Sequence, residues 1–268
     1  DWIEEMKDFM KSKYYKESER PRGLILIGPP GTGKSTFAKI VAGAFGWPLI
    51  KMDIDQMKAG VQGETEHNVS QALQTLTTMR NGILWLDEIE KSLGGIQSSN
   101  ATDGGVLMGI FSKILQFMES DDHNIIIVGT SNSYKELPPA FIRAGRIDIV
   151  AYAGIPNVKT RKNIIDIHLK RTRLNDIIIE GSHIYSTLLK FTENYTGAEV
   201  EALLNKVKRL TVKENIFNKV QDKVTEVTMI KIIDKSRNQV KPIFMTRKEE
   251  IEDMKNWAES NAILTEYP

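Results

Sequence analysis

The residues best equipped for chemistry stand near the start of the chain, in Gly28-Pro29-Pro30-Gly31-Thr32-Gly33-Lys34-Ser35. The run fits G-x-x-x-x-G-K-[ST]. Its glycines let backbone N–H groups converge on one small volume, the lysine adds a cation, and the hydroxyl can hold Mg²⁺. It follows the apolar stretch Leu24–Ile27 and opens a helix whose positive end, with Lys34, Ser35 and Thr36 in its first turn, faces the same volume. Such a cradle suits the phosphates of a nucleoside triphosphate. The competing interpretation is a glycine-rich turn with no ligand, and it must treat the full pattern between a strand and a helix as coincidence.

Ile83-Leu84-Trp85-Leu86-Asp87-Glu88 is an apolar strand ending in two acids. Beside a phosphate cradle, Asp87 can hold Mg²⁺, directly or through water, and Glu88 can polarise an attacking water. Solvated carboxylates at a strand end are the ordinary fate of such a pair, and it is the cradle upstream that favours the metal-and-base assignment. A base beside Mg²⁺ points to hydrolysis rather than binding alone. A second strand, Ile125-Ile126-Ile127-Val128-Gly129-Thr130-Ser131-Asn132, ends in Asn132, which either reaches the γ-phosphate and lytic water or caps the next turn. Arg143 and Arg146 flank Gly145. They are either solvated surface charge or fingers acting on a neighbouring subunit's γ-phosphate, a role that raises rates by about a thousandfold or more. Fingers require a ring.

These groups need a frame, and hydrophobic periodicity supplies one. Strand signals at Leu24–Ile27, Leu49–Met52, Ile83–Leu86, Ile125–Val128 and Ile147–Tyr152 alternate with helical patterns at Lys34–Phe45, Glu64–Met79 and Val106–Met118. The β-branched run Ile125–Val128 suits a strand covered on both faces. The alternation predicts an α/β fold, a P-loop NTPase with a parallel five-stranded sheet flanked by helices, its ligand at the carboxyl ends of the strands. Gly94–Gly105, rich in glycine and serine, is expected to be a mobile loop. Beyond Gly154-Ile155-Pro156, helical patterns at Val158–Lys170, Ser182–Glu193, Gly197–Glu214 and Thr225–Lys235 predict an α-helical lid subdomain. A last helix, Arg247–Ser260, should pack Trp257 on the body. The expected division is residues 1–22 as an N-terminal helix and linker, 23–155 as the nucleotide-binding subdomain, 156–237 as the lid and 238–268 as a tail with a helix.

Composition narrows the classes. A net charge of +1 supplies no field to draw the chain to nucleic acid or an anionic membrane. The absence of cysteine excludes a disulfide scaffold and a thiolate metal site, as fits a cytosol-like compartment. No apolar run approaches a membrane span, and the N-terminus has no signal-peptide pattern. The opening Asp1-Trp2-Ile3, without Met, fits either a fragment of something longer or a compact variant. His67, His123 and His183 lack metal spacing and are expected to be structural or exposed.

In order, G-P-P-G-T-G-K-S, L-D-E-I-E, G-T-S-N, R-A-G-R-I-D and Y-T-G-A-E resemble the AAA family of ATPases over nearly the whole chain. Trp85–Lys91, Asp103–Gly105, Leu137–Arg146 and Glu249–Ala258 are similar to runs in a branch encoded in red-algal chloroplasts and cyanobacteria. The resemblance implies a Mg²⁺-dependent ATPase, homo-oligomeric and most often hexameric, that remodels or regulates a protein partner in the cytoplasm or plastid stroma. It makes Asn132 the first sensor and Arg143 and Arg146 trans-acting fingers. His168, by itself an ordinary half-buried histidine, becomes a lid residue near adenine and ribose. Gly197-Ala198-Glu199 becomes the tripeptide that lets the lid helix approach the nucleotide, and no second-sensor arginine is expected.

One departure matters. Family remodellers place an aromatic and a further apolar residue before G-E-[ST]-E, where they line a central pore and grip polypeptide. Here those positions are Val61 and Gln62. Lacking the aromatic, the chain also suits an ATP-gated assembly module that does not thread its partner. A clamp-loader or initiator-like ATPase on nucleic acid is disfavoured by the near-neutral charge, with Lys206, Lys208, Arg209 and Lys213 read as a solvated helix face.

Overall fold

The computed structural model describes residues 2–16, 19–53, 64–79, 81–93, 101–214 and 223–264, which fall into two compact units. The first takes in the chain up to Gly28, Lys34–Ala153 and Asn256–Leu264; the second takes in Pro29–Gly33 and Gly154–Lys255.

The first unit is built on a parallel sheet. In chain order its elements are α1 (Trp2–Lys11), β1 (Gly23–Ile27), α2 (Lys34–Phe45), β2 (Leu49–Met52), α3 (Glu64–Thr77), β3 (Gly82–Leu86), α4 (Ile89–Leu93), α5 (Ala101–Glu119), β4 (Ile125–Ser131) and β5 (Ile149–Tyr152). Every residue of β1, β3 and β4 is buried, as a strand sandwiched between helices requires. The strand order is β2-β3-β4-β1-β5-β6, where β6 is Ile263–Leu264 in parallel with β5. The sheet therefore has six strands rather than five, because a two-residue strand carries no periodicity to detect. Trp257 lies in this unit and stacks on Tyr134 at 4.7 Å between ring centroids.

A second correction concerns Gly94–Gly105. Residues 94–100 lie outside the described residues, but Ala101–Gly105 is the first part of α5. Two adjacent glycines each cost a helix about 1 kcal/mol relative to alanine. Burial of Ile110, Phe111, Ile114, Phe117 and Met118 further along α5 offsets that.

The second unit is helical: α6 (Val158–Thr172), α7 (His183–Phe191), α8 (Gly197–Lys213), α9 (Lys223–Arg237), the short α10 (Ile243–Thr246) and the larger part of α11 (Lys248–Asn261). Asn157, Ser182 and Thr196 cap the first three through side-chain oxygens. Ile165, Leu188, Tyr195, Val200, Leu203, Leu204, Val207, Met229 and Ile233 make its core.

Candidate active site

Strand register does the positioning. Ile27 pairs with Ser131 and Leu86 with Gly129. Gly28, Asp87 and Asn132 therefore leave the sheet at one edge, with β4 between β1 and β3. The Gly28 N–H donates to Ser131 O at 3.1 Å. A Cβ at Gly28 would stand 2.1 Å from Ala153 O, so only glycine fits where the chain leaves β1.

A threonine joins the two acids. Thr130, fully buried, donates its hydroxyl to Asp87 Oδ1 at 2.7 Å and accepts from the Glu88 N–H at 3.0 Å. Asp87 Oδ1 also accepts from Ser35 Oγ at 3.3 Å, and Oδ2 accepts from Lys51 Nζ at 3.0 Å. Burial pushes the Asp87 carboxyl up, but the hydrogen bonds from Thr130, Lys51 and Ser35 outweigh it and leave the group below its ordinary range.

Glu88 has φ 50°, a left-handed conformation that costs a non-glycine residue about 1–2 kcal/mol. Both of its oxygens are held: Oε1 accepts from Asn132 Nδ2 at 3.2 Å and Oε2 from Lys91 Nζ at 2.7 Å. The Asn132 amide also donates to Glu90 Oε1 at 2.8 Å. Glu90 is 4% exposed, and its Oε2 is buried without a hydrogen-bond partner.

Lys34, the cradle lysine, is buried and donates to Gly28 O at 2.6 Å. Burial pulls its ammonium from 10.5 down to about 8, against the opposing attraction of Glu90, Glu88 and Asp87. The Ser35 hydroxyl and Asp87 carboxylate form an oxygen-only donor set. That fits Mg²⁺, a hard cation that keeps several waters and leans on substrate phosphates. Among the described residues no group of three or more His, Cys, Asp or Glu side chains is arranged to hold a metal.

In the second unit, the loop Pro29–Gly33 meets the start of α8. Thr32 Oγ1 donates to Pro29 O at 2.9 Å, and Gly31 O accepts from the Ala198 N–H at 3.1 Å. Gly31 has φ +84°, and a Cβ there would stand 2.8 Å from Thr196 Oγ1 and 3.1 Å from Ala198 Cβ. Thr196 and Glu199 form a reciprocal capping box, and the other oxygen of Glu199 accepts from the Ile243 N–H at 2.6 Å. His168 is half-buried on α6, and burial lowers its imidazole pKa. It stands one turn beyond Ile164, whose Cδ1 would be 3.8 Å from a Cβ at Gly197.

The remaining candidates separate. Arg143 is exposed. Arg146 is tied within its own unit, through Nε and Nη2 to Glu119 Oε1, each at 2.7 Å, and through Nη1 to Ala140 O at 2.7 Å. Pro30, Gly33 and Thr36 are exposed. Val61 and Gln62 lie outside the described residues. His67 and His183 are exposed and His123 is buried.

Comparison with known proteins accords with this geometry. The family model described as ATPase family associated with various cellular activities (AAA) matches residues 24–155, a span that contains the P-loop, both strand-end acids, Asn132 and the two arginines. Residues 24–155 are an AAA ATPase domain. The chain is 30% identical over 97% of its length to the AAA domain-containing protein ycf46 of Guillardia theta, covering 50% of that protein. It is 30% identical over 79% of its length to the ATP-dependent zinc metalloprotease FtsH of Mycoplasmopsis pulmonis, covering 29% of it. The chain thus spans about half the length of the ycf46 relative. The crystal structure of the FIGL-1 AAA domain in complex with ADP superposes with a TM-score of 0.71 at 18% identity, covering 95% of this chain and 83% of that one.

Three residues of the AAA domain that touch this site were not legible beforehand. Thr130 sits inside the G-T-S-N run without being singled out. Glu90 lies in the first turn of α4, within the L-D-E-I-E run, and is brought to the site by the Asn132 amide. Lys51 is brought in only by strand register.

Proposed function

We propose that this chain binds ATP with Mg²⁺ and hydrolyses it within a homo-oligomeric ring, and that turnover acts on a protein partner. The observation that carries the reading is the junction at Thr130, where one hydroxyl fixes Asp87 and Glu88 beside the sensor amide of Asn132. In this reading Lys34 and the loop Gly28–Gly33 bind the phosphates, and Ser35 and Asp87 hold the metal. The metal, when bound, neutralises charge on the phosphates. Glu88 is the base that polarises water, and Asn132 orients it. Release of Glu88 from Lys91 and Asn132 precedes its use, since both oxygens are engaged as described. His168, Gly197 and Ala198 serve the nucleoside. Arg143 is the finger offered to a neighbouring subunit, and Arg146 can join it only after leaving Glu119.

Support for a protein partner comes from kinship with the AAA module of a metalloprotease. Glu88→Gln tests the chemistry: turnover should fall at least about a hundredfold, the scale of a lost general base, while ATP affinity is retained. Hydrolysis at the unsubstituted rate would remove Glu88 from the mechanism. The same variant, loaded with ATP, is the bait with which to capture the partner.

A further inference from the structure

Lys51 stands on β2 opposite Trp85 of β3. Its Nζ lies 3.0 Å from Asp87 Oδ2 and 4.6 Å from the centroid of the Trp85 ring. The two oxygens of Asp87 are thereby divided between two sides. Oδ1 faces the hydroxyls of Thr130 and Ser35, the side on which a metal is expected, and Oδ2 faces an ammonium. Thr130 and Ser35 already orient the carboxylate, so orientation is not what Lys51 adds. It adds charge, and the aromatic face beneath holds that charge in place.

We propose that Lys51 sets the metal affinity of this site. By partly neutralising Asp87 from the side away from Ser35, its ammonium weakens the hold of the carboxylate on a divalent cation. A site that must release its metal with the product gains from that weakness. The inference rests on the reading of Asp87 as the metal-side carboxylate. A unit charge one carboxylate away from a divalent cation, on a lysine close to half exposed (46%), changes affinity by about three- to tenfold once solvent screening is allowed for.

Mn²⁺ binding to the chain in excess over a non-hydrolysable ATP analogue, read from the electron paramagnetic resonance of free Mn²⁺, tests this without turnover. Lys51→Met should bind Mn²⁺ about three- to tenfold tighter than the unsubstituted chain, and Lys51→Arg within about twofold of it. Unchanged or weaker binding by Lys51→Met, with its thermal unfolding intact, overturns the proposal; so does tighter binding by Lys51→Arg. In an Asp87→Asn background the effect of Lys51→Met should shrink to the direct repulsion between ammonium and cation, and persistence of the full effect would show that Lys51 does not act through Asp87. Asp87→Asn alone should weaken Mn²⁺ binding. If it does not, the assignment of Asp87 itself falls, which is a different failure from that of Lys51.

Discussion

Lys34 makes nucleotide affinity a function of pH. In the free protein its ammonium is held down to about 8 by burial, so half of the molecules lack the cradle's cation near that pH. A bound triphosphate places several negative charges beside it and should return the group to at least its ordinary 10.5. ATP phosphates are already fully ionised above about pH 7, so the titration belongs to the protein. With free and bound values of about 8 and 10.5, the linkage gives an affinity about tenfold lower at pH 9 than at pH 7, and binding at pH 9 takes up about nine-tenths of a proton. The sign on stability is opposite. A lysine whose folded pKa is depressed binds fewer protons when folded, so the free protein gains stability from Lys34 as pH rises from about 8 to 10.5, while its ATP affinity falls. Opposite trends distinguish this effect from general alkaline unfolding. Calorimetric titration with a non-hydrolysable ATP analogue, in buffers of differing ionisation enthalpy, reads affinity and proton uptake together. Lys34→Arg, permanently charged, should show no such slope. Affinity that stays level from pH 7 to 9.5 with no proton uptake would refute the reasoning.

Two further outcomes are expected. His123 accepts the Ile125 N–H at Nδ1 and bonds Phe117 O through Nε2, with Arg20 close by; burial, more than the neighbouring arginines, depresses its pKa. The unfolded chain therefore binds the extra proton first, and stability should fall as pH drops below about 6.5, by at most about 1.4 kcal/mol per pH unit. Urea unfolding between pH 7 and 5.5 measures it, and His123→Gln should flatten that portion of the profile. Mixing Arg143→Ala with Lys34→Ala subunits should recover part of the ATPase activity that each variant lacks alone, because one finger-competent pairing survives; activity no higher than in either pure variant would count against action in trans.

Much of the frame was legible because periodicity and turn chemistry are local. The bounds of α2 and β2, Lys34–Phe45 and Leu49–Met52, could be read from an apolar pattern closed by Gly46 and Pro48. Asp87 and Glu88 announced themselves as acids after a buried run. The ends of α5 and β6 did not, since packing overrode two glycines in one case and a two-residue strand has no pattern in the other. The partners of the acids were hidden for a different reason. Lys51 and Thr130 reach Asp87 or Glu88 across strand pairings, and a pairing register is a property of the assembled sheet rather than of any window of residues. Arg146 shows the same limit, because its commitment to Glu119 depends on where α5 ends.

The bond from the Ala198 N–H to Gly31 O has a consequence that follows from peptide geometry alone. A helix begins with donors that have no partner inside it, and α8 finds one of its acceptors in a glycine far upstream. That carbonyl belongs to the same rigid plane as the Thr32 N–H, which must point the opposite way. The first turn of α8 therefore aims a loop donor from behind. Rotating that plane would strip the helix of an external cap, at about 1 kcal/mol for a hydrogen bond lost, so the loop's donor direction and the integrity of α8 are two faces of one amide.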